Sequence, residues 1–250
     1  MSTIYPRLIA HRGYAARYPE NTQLAIGAAV EAGAHYIEFD VQLSRDKVPV
    51  LFHDRDLQRM CGQSGAVHDY SLAELRGFSV SQFGEFGYRF VGNPMATLQE
   101  AVNYLAAHPA VFAFVELKRQ SLEIFGIETV LDKVLPVLDT ISEQAIVISY
   151  SLETLLATRE RSAFPIGAVF DDWRERKQDL IHKLQPEYLF TDIDRLPRFG
   201  KLECEQCQLA VYECTDPARA VRVHRRGVDF VETFAIAEML DAIELTAEWT

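Results

Sequence analysis

The chain has 250 residues, 48% hydrophobic and 24% charged, with a formal net charge of −11. That balance argues against a disordered or membrane-embedded chain. The acidity argues against adhesion to nucleic acid or anionic lipid, both of which reward clustered Lys and Arg. At this length one large α/β barrel or two small domains are open, and an anionic substrate would need positive charge supplied locally.

Met1 to Pro6 has no basic start and leads into no long apolar run, and no stretch of 18 apolar residues is present, so a cytoplasmic protein is expected. The basic run His224-Arg225-Arg226 reads as a solvated helix end. Of the cysteines, Cys61, Cys204, Cys207 and Cys214, the C-x-x-C pair lacks a second ligand pair, and ordinary reduced thiols are expected.

In chain order, apolar runs at 8–11, 36–43, 48–53, 111–118, 145–150, 166–170, 188–191, 209–212 and 228–232 read as strands, most separated by helical stretches. After the first, Asn21-Thr22 supplies a helix cap, Leu24, Ala25, Ala28, Ala29 and Ala32 form an apolar face, and Gly33 marks the stop. Only Ser44-Arg45-Asp46-Lys47 separates the second and third runs, too short for a parallel crossover, so they predict an antiparallel hairpin. Folding back around Arg45 and Asp46 would bring His53 opposite Glu38, with Asp40 near Leu51 and Phe52.

The hairpin accounts for the strand beyond eight, and a barrel of about eight strands is the favoured architecture, with an open doubly wound sheet as runner-up. Arg55 to Asn93 is glycine-rich with little helical pattern and reads as an insertion over one barrel face, a candidate lid. A helix over 98–107, stopped by His108-Pro109, restores the rhythm. The whole of 1–250 is thus read as one domain.

Alternation within Ile37-Glu38-Phe39-Asp40-Val41 puts the apolar residues on one face and both carboxylates on the other. In 111–118, Phe112, Phe114, Glu116 and Lys118 share a face, placing phenyl rings beneath a charged pair at the carboxyl end, where barrel enzymes keep their sites. Glu38, Asp40 and Glu116 are hard oxygen ligands suited to Mg²⁺ or Ca²⁺ more than zinc. His11 and His53 end apolar strands and suit general acid and base work on a phosphoester, and Arg12 and Lys118 can neutralise phosphate oxygens.

His11-Arg12-Gly13, Pro19-Glu20-Asn21-Thr22, Ile37-Glu38-Phe39-Asp40-Val41, Val50-Leu51-Phe52-His53-Asp54 and Glu116-Leu117-Lys118 resemble, in order and spacing, the glycerophosphodiester phosphodiesterase family. The resemblance covers roughly the first half of the chain closely. It implies a TIM-type (β/α)8 barrel, with the insertion after the strand ending at His53. It also implies one divalent cation, Mg or Ca, on Glu38, Asp40 and Glu116, and hydrolysis of small glycerophosphodiesters to glycerol 3-phosphate and an alcohol. His11 would be the base and His53 the acid, with the glycerol 2-hydroxyl attacking phosphorus before water opens a cyclic phosphate.

Two other readings stay open: a related barrel phospholipase acting on lipid diesters, and a non-catalytic barrel that binds a phosphorylated metabolite. Phe78, Phe83, Phe86, Tyr88 and Phe90 come with few cations, so stable membrane attachment is not expected. In the second half, Tyr212-Glu213-Cys214-Thr215 and Val231-Glu232-Thr233-Phe234 depart from the family pattern. Glu213 and Glu232 would add negative charge at the mouth and favour a cationic head group, but surface pairing with Arg219, Arg222 or Arg225 is the preferred reading. Tyr14, Tyr150, Trp173 and Phe234 are expected to be packing residues.

Overall fold

The computed structural model describes residues 5–202, 204 and 206–247. Among the described residues nine strands form: β1 (Arg7–His11), β2 (Tyr36–Leu43), β3 (Pro49–Leu51), β4 (Phe112–Leu117), β5 (Ala145–Ser149), β6 (Ile166–Phe170), β7 (Tyr188–Asp192), β8 (Gln208–Tyr212) and β9 (Phe230–Thr233). Every run read as a strand is one, with ends shifted by a few residues at most. The sheet order is β1-β9-β8-β7-β6-β5-β4-β2-β3, and β1 also pairs with β2 through Ala10↔Ile37 and His11↔Glu38. That pairing closes eight parallel strands into a TIM-type (β/α)8 barrel and rules out the open sheet, with antiparallel β3 outside the ring.

Strand alternation sorts the core into two layers. Ile9, Phe114, Ile146, Ile148, Val169, Phe190, Ala210 and Phe230 point inward and fill the barrel. Ile37, Phe39 and Val41 point outward into the larger cluster shared with the helices. The Phe114 ring meets those of Phe190 and Phe230 edge-on at 5.2 and 5.8 Å, forming a floor two residues below Glu116. Phe114→Ala is expected to cost about 3–5 kcal/mol, since so enclosed a site cannot collapse around the void. The measurement is a lower urea midpoint at unchanged slope.

Helix α1 (Gln23–Glu31) is capped by Thr22, whose hydroxyl accepts from Ala25 N–H at 3.1 Å. Its buried face is Ala25, Ile26 and Ala29, whereas Leu24, expected inside, is exposed. The helix Leu98–Ala106 begins at a Thr97/Glu100 capping box and ends one residue short of expectation.

The hairpin forms as predicted, but one residue out of the expected register. Val41 faces Leu51, Gln42 faces Val50 and Leu43 faces Pro49. Continuing the pattern, Asp40 meets Phe52, whose N–H donates to the Asp40 carbonyl at 3.0 Å, and His53 passes Phe39 rather than Glu38. The turn sets this offset, with Lys47 in the left-handed region at φ 61° and Ser44 N–H donating to Val48 carbonyl at 3.0 Å. Beyond Leu51, Gln42 Nε2 donates to the carbonyls of Phe52, His53 and Asp54 at 3.0, 3.2 and 2.7 Å.

Between 55 and 93 the chain makes short helical turns only, among them Gln58–Cys61, Leu72–Leu75 and Phe83–Phe86. They pack around their own cluster of Leu57, Met60, Val67, Leu75 and Val80, seated on Val50, Phe52 and Met95. The expectation of reduced thiols is corrected at one pair. Cys204 and Cys207 form a disulfide with Cα atoms 5.5 Å apart, within the range that bridging requires, while Cys61 and Cys214 are free. Among the described residues no helix is long and apolar enough to cross a membrane.

Candidate active site

The site lies at the carboxyl ends of the strands, where β1, β2 and β4 carry His11, Glu38, Asp40 and Glu116, and Arg12 and Lys118 directly follow β1 and β4. His11 ends β1, and the next two residues take left-handed conformations, Arg12 at φ 57° and Gly13 at φ 80°. Gly13 is required by proximity as well as by φ, since a Cβ there would stand 2.6 Å from the Ala25 carbonyl carbon of α1. The turn aims the Arg12 N–H at Glu38 Oε2, 3.1 Å away.

Glu38, Asp40 and Glu116 converge, each offering an oxygen within 4.8 Å of the others. Lys118 Nζ bridges Asp40 at 3.1 Å and Glu116 at 2.8 Å, and Arg12 reaches Asp40 at 3.3 Å and Glu20 at 2.9 Å. Asn21, read in the sequence as part of a cap, is instead buried and grips Asp40 twice. Its Nδ2 donates to Oδ2 at 2.8 Å, and its Oδ1 accepts from Asp40 N–H at 3.0 Å.

Burial, with Asp40 next, pushes Glu38 well above the usual carboxylate range. Burial raises Glu116 too, against the pull of Lys118. Burial alone would raise Asp40, but Lys118 and Arg12 hold it far below. Further positive charge would favour ionisation of all three acids together, and Glu38 Oε1 is buried with no hydrogen-bond partner among the described residues. The donor set and this unpartnered oxygen fit a divalent cation. A second convergent group, Glu20, His53 and Asp54, does not: Arg59 occupies it, donating to Glu20 at 2.6 Å and Asp54 at 2.7 Å.

His53 sits across the cleft, partly exposed, with Nδ1 2.9 Å from Asp54 Oδ1. His11 is enclosed. Its Nδ1 lies 2.9 Å from Glu213 Oε2, its ring stacks on Phe234 at 4.7 Å and 8°, and Nε2 is 3.8 Å from both Glu38 and Glu232. Burial, then the charge of Arg12, lowers His11 well below the ordinary imidazole value, so the ring is neutral near pH 7.

Glu213 and Glu232 correct the surface-pairing expectation. Glu232 is 3% exposed and lines the cleft, because inward positions on β9 alternate from Phe230 to Glu232. Arg219 and Arg222 pair instead with Asp194 and Asp216. Two aromatics expected only to pack are at the site: Phe234 against His11, and Tyr150, which lines the cleft and meets the Tyr212 hydroxyl at 2.9 Å. Trp173 is buried packing as expected, and the Tyr14 hydroxyl donates to Glu238 at 2.6 Å. The cleft is lined by His11, Arg12, Glu38, His53, Glu116 and Lys118, over Ile148, Val169 and Phe190.

Fold and cleft together define a TIM-type barrel carrying carboxylates, imidazoles and cations at the carboxyl ends of its strands. The glycerophosphoryl diester phosphodiesterase family model matches residues 11–233. A glycerophosphodiester phosphodiesterase of Caldanaerobacter subterraneus is 33% identical over 187 residues, 72% of this chain and 75% of that protein. The chain belongs to the glycerophosphoryl diester phosphodiesterase family.

A Bacillus altitudinis glycerophosphodiester phosphodiesterase is 37% identical over 124 residues, 49% of each chain, so the match spans about half the length of that relative. Among solved structures, an Oleispira antarctica phosphodiesterase in complex with the product sn-glycerol-3-phosphate superposes with TM-score 0.82 at 22% identity, covering 96% of this chain and 97% of that one. At that identity the likeness shows the fold.

Proposed function

We propose that the protein hydrolyses small glycerophosphodiesters to glycerol 3-phosphate and an alcohol, as one barrel domain spanning 1–250 with 55–93 as an insertion beside the cleft. The observation that carries this reading is the pair of imidazoles, His11 and His53, lining one cleft with Arg12, Lys118 and an acidic triad. Glu38, Asp40 and Glu116 would hold one divalent cation, Mg or Ca, which when bound would supply charge stabilisation for the phosphoryl group.

Arg12 and Lys118 bind the phosphate anion and fix it between the two histidines. His11 Nε2 takes the proton of the glycerol 2-hydroxyl as its oxygen bonds to phosphorus. The bond from phosphorus to the head-group oxygen breaks, and protonated His53 supplies the proton that releases the alcohol. In the second half-reaction neutral His53 takes a proton from water as its oxygen joins phosphorus. The bond to the 2-oxygen breaks, His11 returns its proton, and glycerol 3-phosphate leaves. Proton balance is restored after each turnover.

The test is release of glycerol 3-phosphate by the purified protein from diesters with choline, ethanolamine and glycerol head groups, with Mg²⁺, Ca²⁺ or Mn²⁺ and with chelator. Release that stops on chelation is expected. No release from any diester with any of the three ions would overturn the reading.

A further inference from the structure

We propose that Glu213 is a positioning residue for His11: its carboxylate fixes the imidazole in the tautomer with hydrogen on Nδ1, leaving the Nε2 lone pair for the substrate. The inference rests on the reading of His11 as the base.

Glu213 follows directly after β8, two strands from β1 in the ring, and reaches past β9 to His11. One carboxylate oxygen, Oε2, stands 2.9 Å from His11 Nδ1. The other, Oε1, accepts the backbone N–H of Phe234 at 3.2 Å. The same Phe234 stacks its ring on the imidazole, 8° from parallel. The carboxylate is thus anchored by a backbone donor that cannot rotate, and the imidazole is held by its edge and its face.

An ionised carboxylate only accepts, so Nδ1 facing it must carry the hydrogen. That leaves Nε2 without one, on the side where Glu38 and Glu232 stand at 3.8 Å and the cleft opens. With Nδ1 bare the ring would confront the carboxylate lone pairs and turn an N–H toward the substrate hydroxyl. A base would become a donor. Fixing the second ring nitrogen is how histidines are commonly oriented at reactive centres.

Burial raises Glu213 to about 7, with the Phe234 N–H and Arg12 pulling it down, so the measurements belong at pH 8.5 with the carboxylate ionised. Glu213→Gln is the discriminating change. Glutamine has the same shape but only one acceptor, while both Glu213 oxygens face N–H groups. With its oxygen kept on the fixed Phe234 N–H, its NH₂ meets Nδ1 and the ring must switch tautomer.

Glu213→Gln is expected to lower kcat by about 10–100-fold with KM little changed. The ¹⁵N spectrum of His11 in the ion-free protein is expected to show hydrogen on Nδ1 in the parent and on Nε2 in the variant. A variant within twofold of the parent kcat, or a parent His11 protonated on Nε2, overturns the proposal. The parent spectrum decides even where the variant does not fold. Full activity in His11→Ala would instead overturn the role of His11, and the spectrum would still report whether Glu213 sets its tautomer.

Discussion

His53→Ala is expected to lower kcat for a choline or glycerol diester by a factor on the order of 10² or more, with product affinity little changed, and His11→Ala to do likewise. The two losses separate by leaving group. An alkoxide is a poor leaving group and needs the proton that His53 supplies, whereas a p-nitrophenolate leaves without one. On a glycerophospho-p-nitrophenol substrate the His53→Ala defect should therefore shrink in the release of nitrophenol while the His11→Ala defect persists, because attack still requires a base. Single-turnover rates of head-group release by both variants on both substrates check this, since they isolate the first half-reaction from the second, in which His53 serves as the base. Equal defects on both substrates would remove the assignment of acid and base. His53 is the cleaner variant structurally, being partly exposed with one side-chain partner, Asp54. Deleting His11 leaves Glu213 and Phe234 facing a void, so its melting temperature should be recorded beside its rate.

The seven residues at issue in these experiments were all legible in the sequence as positions, and the reason is local. Period-two alternation puts Glu38 and Asp40 on one face of β2 and Glu116 above Phe114 on β4, and closure of the barrel does the rest. What local pattern cannot supply is the offset between strands. The expected hairpin register was one residue out because the left-handed turn at Lys47 is invisible to a count of residues in the loop. Partners on neighbouring strands that are distant in the chain are equally hidden. Glu213 and Glu232 read as surface charge, since β1, which brings His11 beside them, lies at the opposite end of the chain. Asn21 reads as a cap and as part of the Pro19-Glu20-Asn21-Thr22 motif with no role assigned, because a residue preceding a helix satisfies the capping reading before its contact with Asp40 is considered. Alternation on β9 from Phe230 did hold the signal for Glu232, as the inward phase of that strand continues two residues further.

Binding of a divalent cation is expected to raise the melting temperature, and to do so more at pH 8 than at pH 5.5. Burial raises Glu38, Glu116 and Glu232 above their unfolded values, and raises Glu213 to about 7. For carboxyls shifted upward, the folded chain binds protons the unfolded chain has already lost. Their stabilising contribution is complete below the unfolded value of about 4.3 and disappears as pH climbs through the folded values. Asp40 is shifted the other way, so its contribution is lost only in strong acid, outside this window, and His11, lowered by burial, opposes the trend only below its unfolded value of about 6.5, one imidazole against four carboxyls. The ion-free protein therefore loses stability between pH 5.5 and 8 as charge accumulates at the cleft.

A cation binds the ionised oxygens and competes with those protons, so its affinity rises over the same interval. At a hundredfold excess over Kd the ion contributes about 2.7 kcal/mol, which for a chain of this length is roughly 5–11 °C. Thermal melts with and without Mg²⁺, Ca²⁺ or Mn²⁺ at the two pH values measure it. Asp40→Asn should abolish the ion-dependent shift, because it removes a ligand and frees Lys118 and Arg12 to repel the incoming ion. A shift as large at pH 5.5 as at pH 8, or one that survives Asp40→Asn, would place the cation somewhere other than the Glu38, Asp40 and Glu116 cluster.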